Sequence, residues 1–167
     1  TRKISTHRYG GNTSCVSVCE KNDYALIIDA GTGLRPLGDK LCGFDADGHL
    51  AKPSPFITGS AGIDIVLGHM HWDHIIGLPF FKPLYIKGNR ITIYGCGGLK
   101  KYLPEVFRKP FFPIEFNQLG ATITLVEIEE GEELRLGDFT LRPQYLFHTD
   151  PTFGYRINDR AGKTLIY

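Results

Sequence analysis

Three histidines and an aspartate fall within six positions of one another in His69-Met-His71-Trp-Asp73-His74. Imidazole and carboxylate together suit a divalent ion of borderline softness: zinc first, with manganese and iron as alternatives. The run before them, Ile63-Asp-Ile-Val-Leu67, is rich in β-branched residues and reads as a short buried strand. Gly68 lets the backbone leave that strand. His69 and His71 alternate, so in extended chain both side chains face the same way, and Asp73 continues the alternation. His74 breaks it, as expected at a turn into a helix. That helix would bury Ile75, Ile76, Leu78 and Phe80, with Pro79 and Pro83 limiting its length. Four ligands so close in sequence crowd a single tetrahedral centre. Two neighbouring ions are therefore expected, His69 and His71 on one, Asp73 and His74 on the other. The plainer reading is a polar turn with incidental histidines. Four such groups directly after a strand argue against it.

The elements around this motif read as an alternation of strands and short helices. Segments 15–19 and 24–29 predict a β-hairpin tipped by Lys21-Asn22-Asp23, and 34–41 a short helix. Asp29 closes the second strand before Ala-Gly31-Thr-Gly33. It is either a group orienting a metal ligand from behind or a plain turn carboxylate. Asp45-Ala-Asp47-Gly48 begins like a calcium loop but lacks the closing acid, so it reads as a surface turn with a solvated His49. A strand is expected over 90–94. A helix is expected over 98–107, with Leu99, Tyr102, Leu103 and Val106 on one face. Lys100, Lys101, Arg108 and Lys109 form a basic cluster, read as a solvated helix face. Phe111 and Phe112 serve as a pocket wall or as core. Strands follow over 121–128, 134–136 and 139–147. A hairpin over 152–157 and 163–167 has Asn158 to Gly162 as its turn. His148 ends one of these strands, which repeats the logic of the opening motif and suggests a further ligand, although taken alone a structural histidine is the simpler account of it.

Composition bounds the function class. The chain has 167 residues, 42% hydrophobic and 22% charged, with a net charge of +1. One soluble domain spanning 1–167 is expected. Near-neutral charge gives no bulk attraction to nucleic acid or an anionic membrane. No segment is long and apolar enough to span a bilayer. The opening residues, Thr1 to Arg8, lack an apolar signal core. Cys15, Cys19, Cys42 and Cys96 show no CxxC pair. Cys15 and Cys19 fall on one strand face, too far apart for a local disulfide. Buried thiols in a reducing cytoplasm are expected.

These residues resemble the metallo-β-lactamase superfamily. His69-Met-His71-Trp-Asp73-His74 fits its HxHxDH motif. Tyr9-Gly-Gly-Asn-Thr-Ser-Cys15, Ile28-Asp-Ala-Gly-Thr-Gly33 and His148-Thr-Asp-Pro-Thr-Phe-Gly-Tyr-Arg156 are similar to the branch holding tRNase Z and small, including cyclic, phosphodiesterases. The resemblance covers essentially the whole chain. It implies an α+β fold, the αββα sandwich, and a hydrolase with two divalent ions, Zn2+ foremost and Mn2+ or iron as alternatives. It implies that His69, His71 and His148 hold one ion. Asp73 and His74 would contribute to the second, with Asp29 near the metals as a supporting group. Asp73 would also orient a water activated by both ions. The aspartate that bridges the metals in the family, and its last histidine ligand, would follow Tyr167. A sandwich incomplete at the C-terminus and at the N-terminus is therefore expected, part of a longer protein, with a homodimer or complementary chain covering the exposed edge.

The tight turn at Asn158 to Gly162 stands where bacterial tRNase Z carries its tRNA-gripping arm. With the near-neutral charge, this weighs against tRNA and towards a small or cyclic phosphodiester. The competing expectations are an ester, thioester or lactam hydrolase on the same metals, and a non-catalytic metal-binding fragment or regulatory module.

Overall fold

The computed structural model describes residues 10–167. The expectation about Thr1 to Arg8 lies outside the described residues, as does Tyr9. Among the described residues nine strands form two sheets, ordered β1-β2-β3-β4-β5 and β6-β7-β8-β9.

In the first sheet, β1 (Val16–Glu20) pairs antiparallel with β2 (Tyr24–Ile28) as the predicted hairpin. β3 (Gly62–Val66), β4 (Arg90–Gly95) and β5 (Thr122–Glu127) then add in parallel. Parallel strands covered on both faces need apolar residues at successive positions, and the sequence supplies them. Along β2, Ala25 and Ile27 enter one core, while Leu26 and Ile28 enter another. Ile63 and Ile65 join the first core and Val66 the second. Each such fully buried Ile or Leu stabilises the fold by about 1.5–3 kcal/mol.

The first core lies beneath the helices α1 (Leu34–Cys42), α2 (Pro55–Thr58), α3 (Trp72–Ile75) and α4 (Leu99–Tyr102). They contribute Leu34, Leu41, Phe56, Ile75 and Leu99 to it. The second core lies between the sheets. There Leu134 and Leu136 of β6 (Leu134–Leu136), Leu141 of β7 (Phe139–Leu146) and Phe153, Tyr155 and Ile157 of β8 (Thr152–Asp159) meet Leu26, Ile28 and Val66. The edge strand β9 (Thr164–Ile166) leaves Leu165 and Ile166 exposed. Among the described residues the layers are thus helix, sheet, sheet. This is the expected mixed α and β sandwich, with no helix over the outer face of the second sheet.

Four local expectations are corrected. The motif helix is a single turn, α3, followed by a 3-10 turn at Leu78–Phe80. Pro79 within that turn ends the helical period, and Phe80 emerges 54% exposed instead of buried. The helix expected over 98–107 is one α-turn followed by a 3-10 segment, Leu103–Phe107, containing Pro104. The change of period leaves Tyr102 exposed while Leu99, Leu103 and Val106 stay buried. Cys15 and Cys19 do not share a face. The register shifts between Ser17 and Cys19, so Cys15 packs against the first core and Cys19 against the second. Of the two phenylalanines only Phe112 takes the core role, packing edge-on against Phe107 and Phe80, while Phe111 is exposed.

Candidate metal centre

The histidines stand where β3 stops. Gly68 follows the strand, and its carbonyl accepts the Phe153 N–H at 2.8 Å. The Tyr155 hydroxyl donates to the Leu67 carbonyl at 2.6 Å. These bonds tie the start of β8 to the end of β3. The loop before β8 is held further by the Cys96 thiol on the Pro151 carbonyl, 3.3 Å, and the Thr152 hydroxyl on the Asp150 carbonyl, 2.9 Å. His148 is thereby brought from the second sheet to the motif of the first. Its ring centroid lies 4.7 Å from His69 and 5.0 Å from His71. One ligand atom from each of His69, His71 and His148 falls within 4.8 Å of the others.

On the other side, the turn after β2 packs against α3. Ala30 donates to the His74 carbonyl at 2.7 Å, and Gly77 donates to the Ala30 carbonyl at 2.8 Å. A Cβ on Gly31 would stand 2.3 Å from the Asp73 carbonyl oxygen, and one on Gly77 would stand 2.0 Å from that of Gly31. The approach that sets Asp73 and His74 beside His69 requires both glycines. The His74 ring is 4.1 Å from that of His69. Its Nε2 lies 3.3 Å from Asp73 Oδ2, and its Nδ1 is bonded to Asp29.

Asp29 is fully buried and sits at φ 57°. This left-handed backbone is tolerated by Asp and Asn better than by other side chains. Its Oδ1 accepts the Gly68 N–H at 2.7 Å. Its Oδ2 accepts the Tyr167 hydroxyl at 2.5 Å as well as meeting His74. So Asp29 lies behind His74, one of the two places considered for it. Partial burial, then the charge of this carboxylate, pushes the Cys15 thiol up to about 12.

Two contacts were not anticipated. Asp150 Oδ2 meets His71 Nε2 at 2.8 Å, and that contact holds the Asp150 carboxyl below its usual value. Tyr167 bonds both Asp29 and Ser14. Asp150 was legible in principle, since it lies two positions after His148 in the quoted motif. Nothing local marks Tyr167.

The donor set fits a divalent ion on the structure's own terms. His69 is buried, and its Nδ1 has no hydrogen-bond partner. An unpaired buried polar atom costs about 1–3 kcal/mol unless something accepts it. Burial, then the neighbouring imidazoles of His74, His71 and His148, lowers its proton affinity below the ordinary value. A neutral ring with a free lone pair is the state a metal ligand needs. His71 has one nitrogen on Asp150 and the other, Nδ1, 3.3 Å from His148 Nε2. Asp73 is 59% exposed at its side chain, open to solvent beside His74.

Residues 25–167 match the family model described as a beta-lactamase superfamily domain. The chain belongs to the metallo-β-lactamase superfamily. Within it the relatives are of the tRNase Z branch. The ribonuclease Z of Macrococcus caseolyticus is 33% identical over 164 residues, covering 93% of this chain and 50% of that protein. The ribonuclease Z of Archaeoglobus fulgidus is 29% identical over 159 residues, 92% of this chain and 48% of that one. The chain thus spans about half the length of the curated relatives it matches. Among solved structures, the metallo-β-lactamase fold protein YhfI of Bacillus subtilis aligns with a TM-score of 0.59 at 18% identity, over 93% of this chain and 53% of that chain. Human tRNase Z, short form, aligns with a TM-score of 0.53 at 20% identity, over 92% and 60%. These two likenesses speak for the fold alone. The curated relatives are ribonucleases by name, and the histidine cluster of this chain is where a divalent ion fits.

The relatives correct the expectation of partners. A small or cyclic phosphodiester was favoured and tRNA set aside, and the ribonuclease Z matches overturn that. The tight turn is present, with Gly162 donating to the Asp159 carbonyl at 3.1 Å. Among the described residues no helix is long and apolar enough to cross a membrane.

Proposed function

We propose that this chain carries the metal centre of a ribonuclease of the tRNase Z type, a hydrolase of RNA phosphodiesters with tRNA as its substrate class. The observation that carries the reading is the convergence of His69, His71 and His148 from two sheets around a buried, unpaired imidazole nitrogen. The ribonuclease Z relatives supply the substrate class. His69, His71 and His148 would hold one ion, and Asp73 with His74 would contribute to a second, with zinc the expected metal. Divalent ions there supply Lewis acidity, polarising a phosphoryl oxygen and acidifying water near neutral pH.

This chain's residues do the rest. Asp29 fixes the ring of His74 through Nδ1, so that Nε2 faces Asp73. Asp150 fixes His71 in the same way through Nε2. Asp73, exposed and acceptor-only, orients the attacking water and takes up its proton. A cytoplasmic location belongs to the same proposal, motivated by four free thiols.

The test uses the full natural chain with a tRNA transcript, bis-p-nitrophenyl phosphate, a thioester and a chromogenic cephalosporin. Chelator-sensitive cleavage of the RNA is expected. Turnover of the thioester or the cephalosporin without phosphodiester cleavage contradicts the reading. No turnover of any of the four by metal-loaded protein points instead to a binding module.

A further inference from the structure

A cavity of about 470 Å3 has walls from the Gly-rich turn, α1 and the segment that follows His74 and α3. Asn12, Thr32, Arg35, Asp39, Ile76 and Phe80 are among its lining residues. Its size suits a nucleotide-sized ligand. Its position is set by the motif, because Ile76 follows His74 by two residues and Gly77 is clamped onto Ala30.

Its chemistry is mixed in a specific way. Phe80 is a large apolar side chain left 54% exposed. It is not loose, since Phe112 packs against it edge-to-face, centroids 6.1 Å apart. The two charged lining residues differ in their partners. Asp39 is engaged by Lys82. Arg35 forms no ion pair among the described residues. The uncompensated charge at this cavity is therefore a guanidinium, a planar cation suited to phosphate oxygens. The Thr32 hydroxyl donates to Asn12 Oδ1 at 3.1 Å and accepts the Thr13 N–H at 2.8 Å. The Asn12 carbonyl is thus occupied, and its amide N–H groups remain to donate. An aromatic face, a guanidinium and an amide donor around one cavity form the recognition set of a single-stranded nucleotide: base stacking, phosphate pairing and a base-edge hydrogen bond.

We propose that this cavity takes one nucleotide of the RNA substrate flanking the scissile phosphodiester. Its base stacks on Phe80, and its phosphate pairs with Arg35. The inference rests on the RNA-hydrolase reading above.

The experiment measures equilibrium binding of a fluorescein-labelled single-stranded RNA oligonucleotide to the metal-loaded full natural chain. It is followed by steady-state cleavage of the tRNA transcript. Phe80→Ala and Arg35→Ala are each expected to weaken Kd about 10-fold. Each raises KM for RNA in step, while kcat moves less than about threefold. Phe80→Tyr restores binding and Phe80→Leu does not, which separates stacking from packing on Phe112. Wild-type Kd in both Phe80→Ala and Arg35→Ala overturns the proposal, as does a wild-type chain that fails to bind the RNA. Failure of the underlying reading has a different signature: RNA binding that still depends on Phe80 and Arg35, with no cleavage by the metal-loaded protein.

Discussion

His69, His71 and His148 reach one another from two different sheets, whereas Asp73 and His74 come from a single turn of helix. The first set presents three imidazoles, one of them buried with an unpaired nitrogen. The second presents one imidazole and one exposed carboxylate, and its order comes from behind, through the buried Asp29. The contrast assigns different duties. The inter-sheet set is complete enough in this chain to hold an ion. The local set is aimed by Asp29 but contributes only two donors from the described residues.

Substitutions on either side test that separation. His148→Ala removes a donor from the three-histidine set and leaves Asp73 and His74 in place. A fall in kcat/KM on the order of 10^3-fold or more is expected, since a lost ion removes several kcal/mol of transition-state stabilisation. His148 is exposed, so far-UV circular dichroism stays at wild type. Retained turnover would mean that His148 is no ligand.

Asp29→Asn strikes the other set. Asn tolerates the same left-handed backbone, but it presents one acceptor oxygen to the Gly68 N–H, the Tyr167 hydroxyl and His74. A loss of about 1–3 kcal/mol in urea unfolding is expected. The weaker of two zinc-binding events should lose about 10- to 100-fold in affinity. Equal weakening of both events would erase the distinction between the sets.

Acid sharpens the comparison in metal-free protein. Burial and the surrounding imidazoles hold His69 below its ordinary value of 6.5, so as pH falls the unfolded chain takes up this proton before the folded one does. The His69 contribution to stability is therefore fully present above about 6.5 and is lost as pH falls from there through the lower folded value. Urea midpoints at pH 7.5 and 5.5 should differ more for wild type than for His69→Ala. Identical pH dependence would remove the electrostatic account of the cluster. The smallest effect belongs to Tyr167→Phe, which deletes the hydroxyl's bonds to Asp29 and Ser14. About 1 kcal/mol of stability and a modest weakening of the second zinc event are expected. An unchanged unfolding midpoint would show that the hydroxyl's bonds contribute nothing.

The same contrast explains what the sequence made legible. Adjacency placed Asp73 and His74 beside His69, and strand alternation put His69 and His71 on one side. The apolar runs over 24–29 and 63–67 were enough to mark strands, while their parallel pairing is a property of the fold that no local pattern marked. His148 lies far along the chain from the motif, and no periodicity links the two. Only the resemblance to a family joined them, and the Gly68–Phe153 and Leu67–Tyr155 bonds show how the fold does so. Tyr167 was missed because its partners are set by packing between sheets, which local pattern does not encode, whereas Asp150 stood in the motif of His148 without its contact to His71 being drawn. Phe80 went astray for a local reason: Pro79 converted the end of the helix to a 3-10 turn and changed the face it presents. The expectation about tRNA failed because an arm's absence from one position was read as a statement about substrate.

The central claim is that the three-histidine set is a divalent-metal site, and zinc retention tests it most directly. The full natural chain and its His69→Ala variant would be loaded with zinc, dialysed exhaustively against metal-free buffer and analysed for metal. Retained zinc in the wild type is expected, with at least one equivalent lost from the variant at unchanged circular dichroism. Equal zinc content in the two proteins, or none in either, would contradict the account.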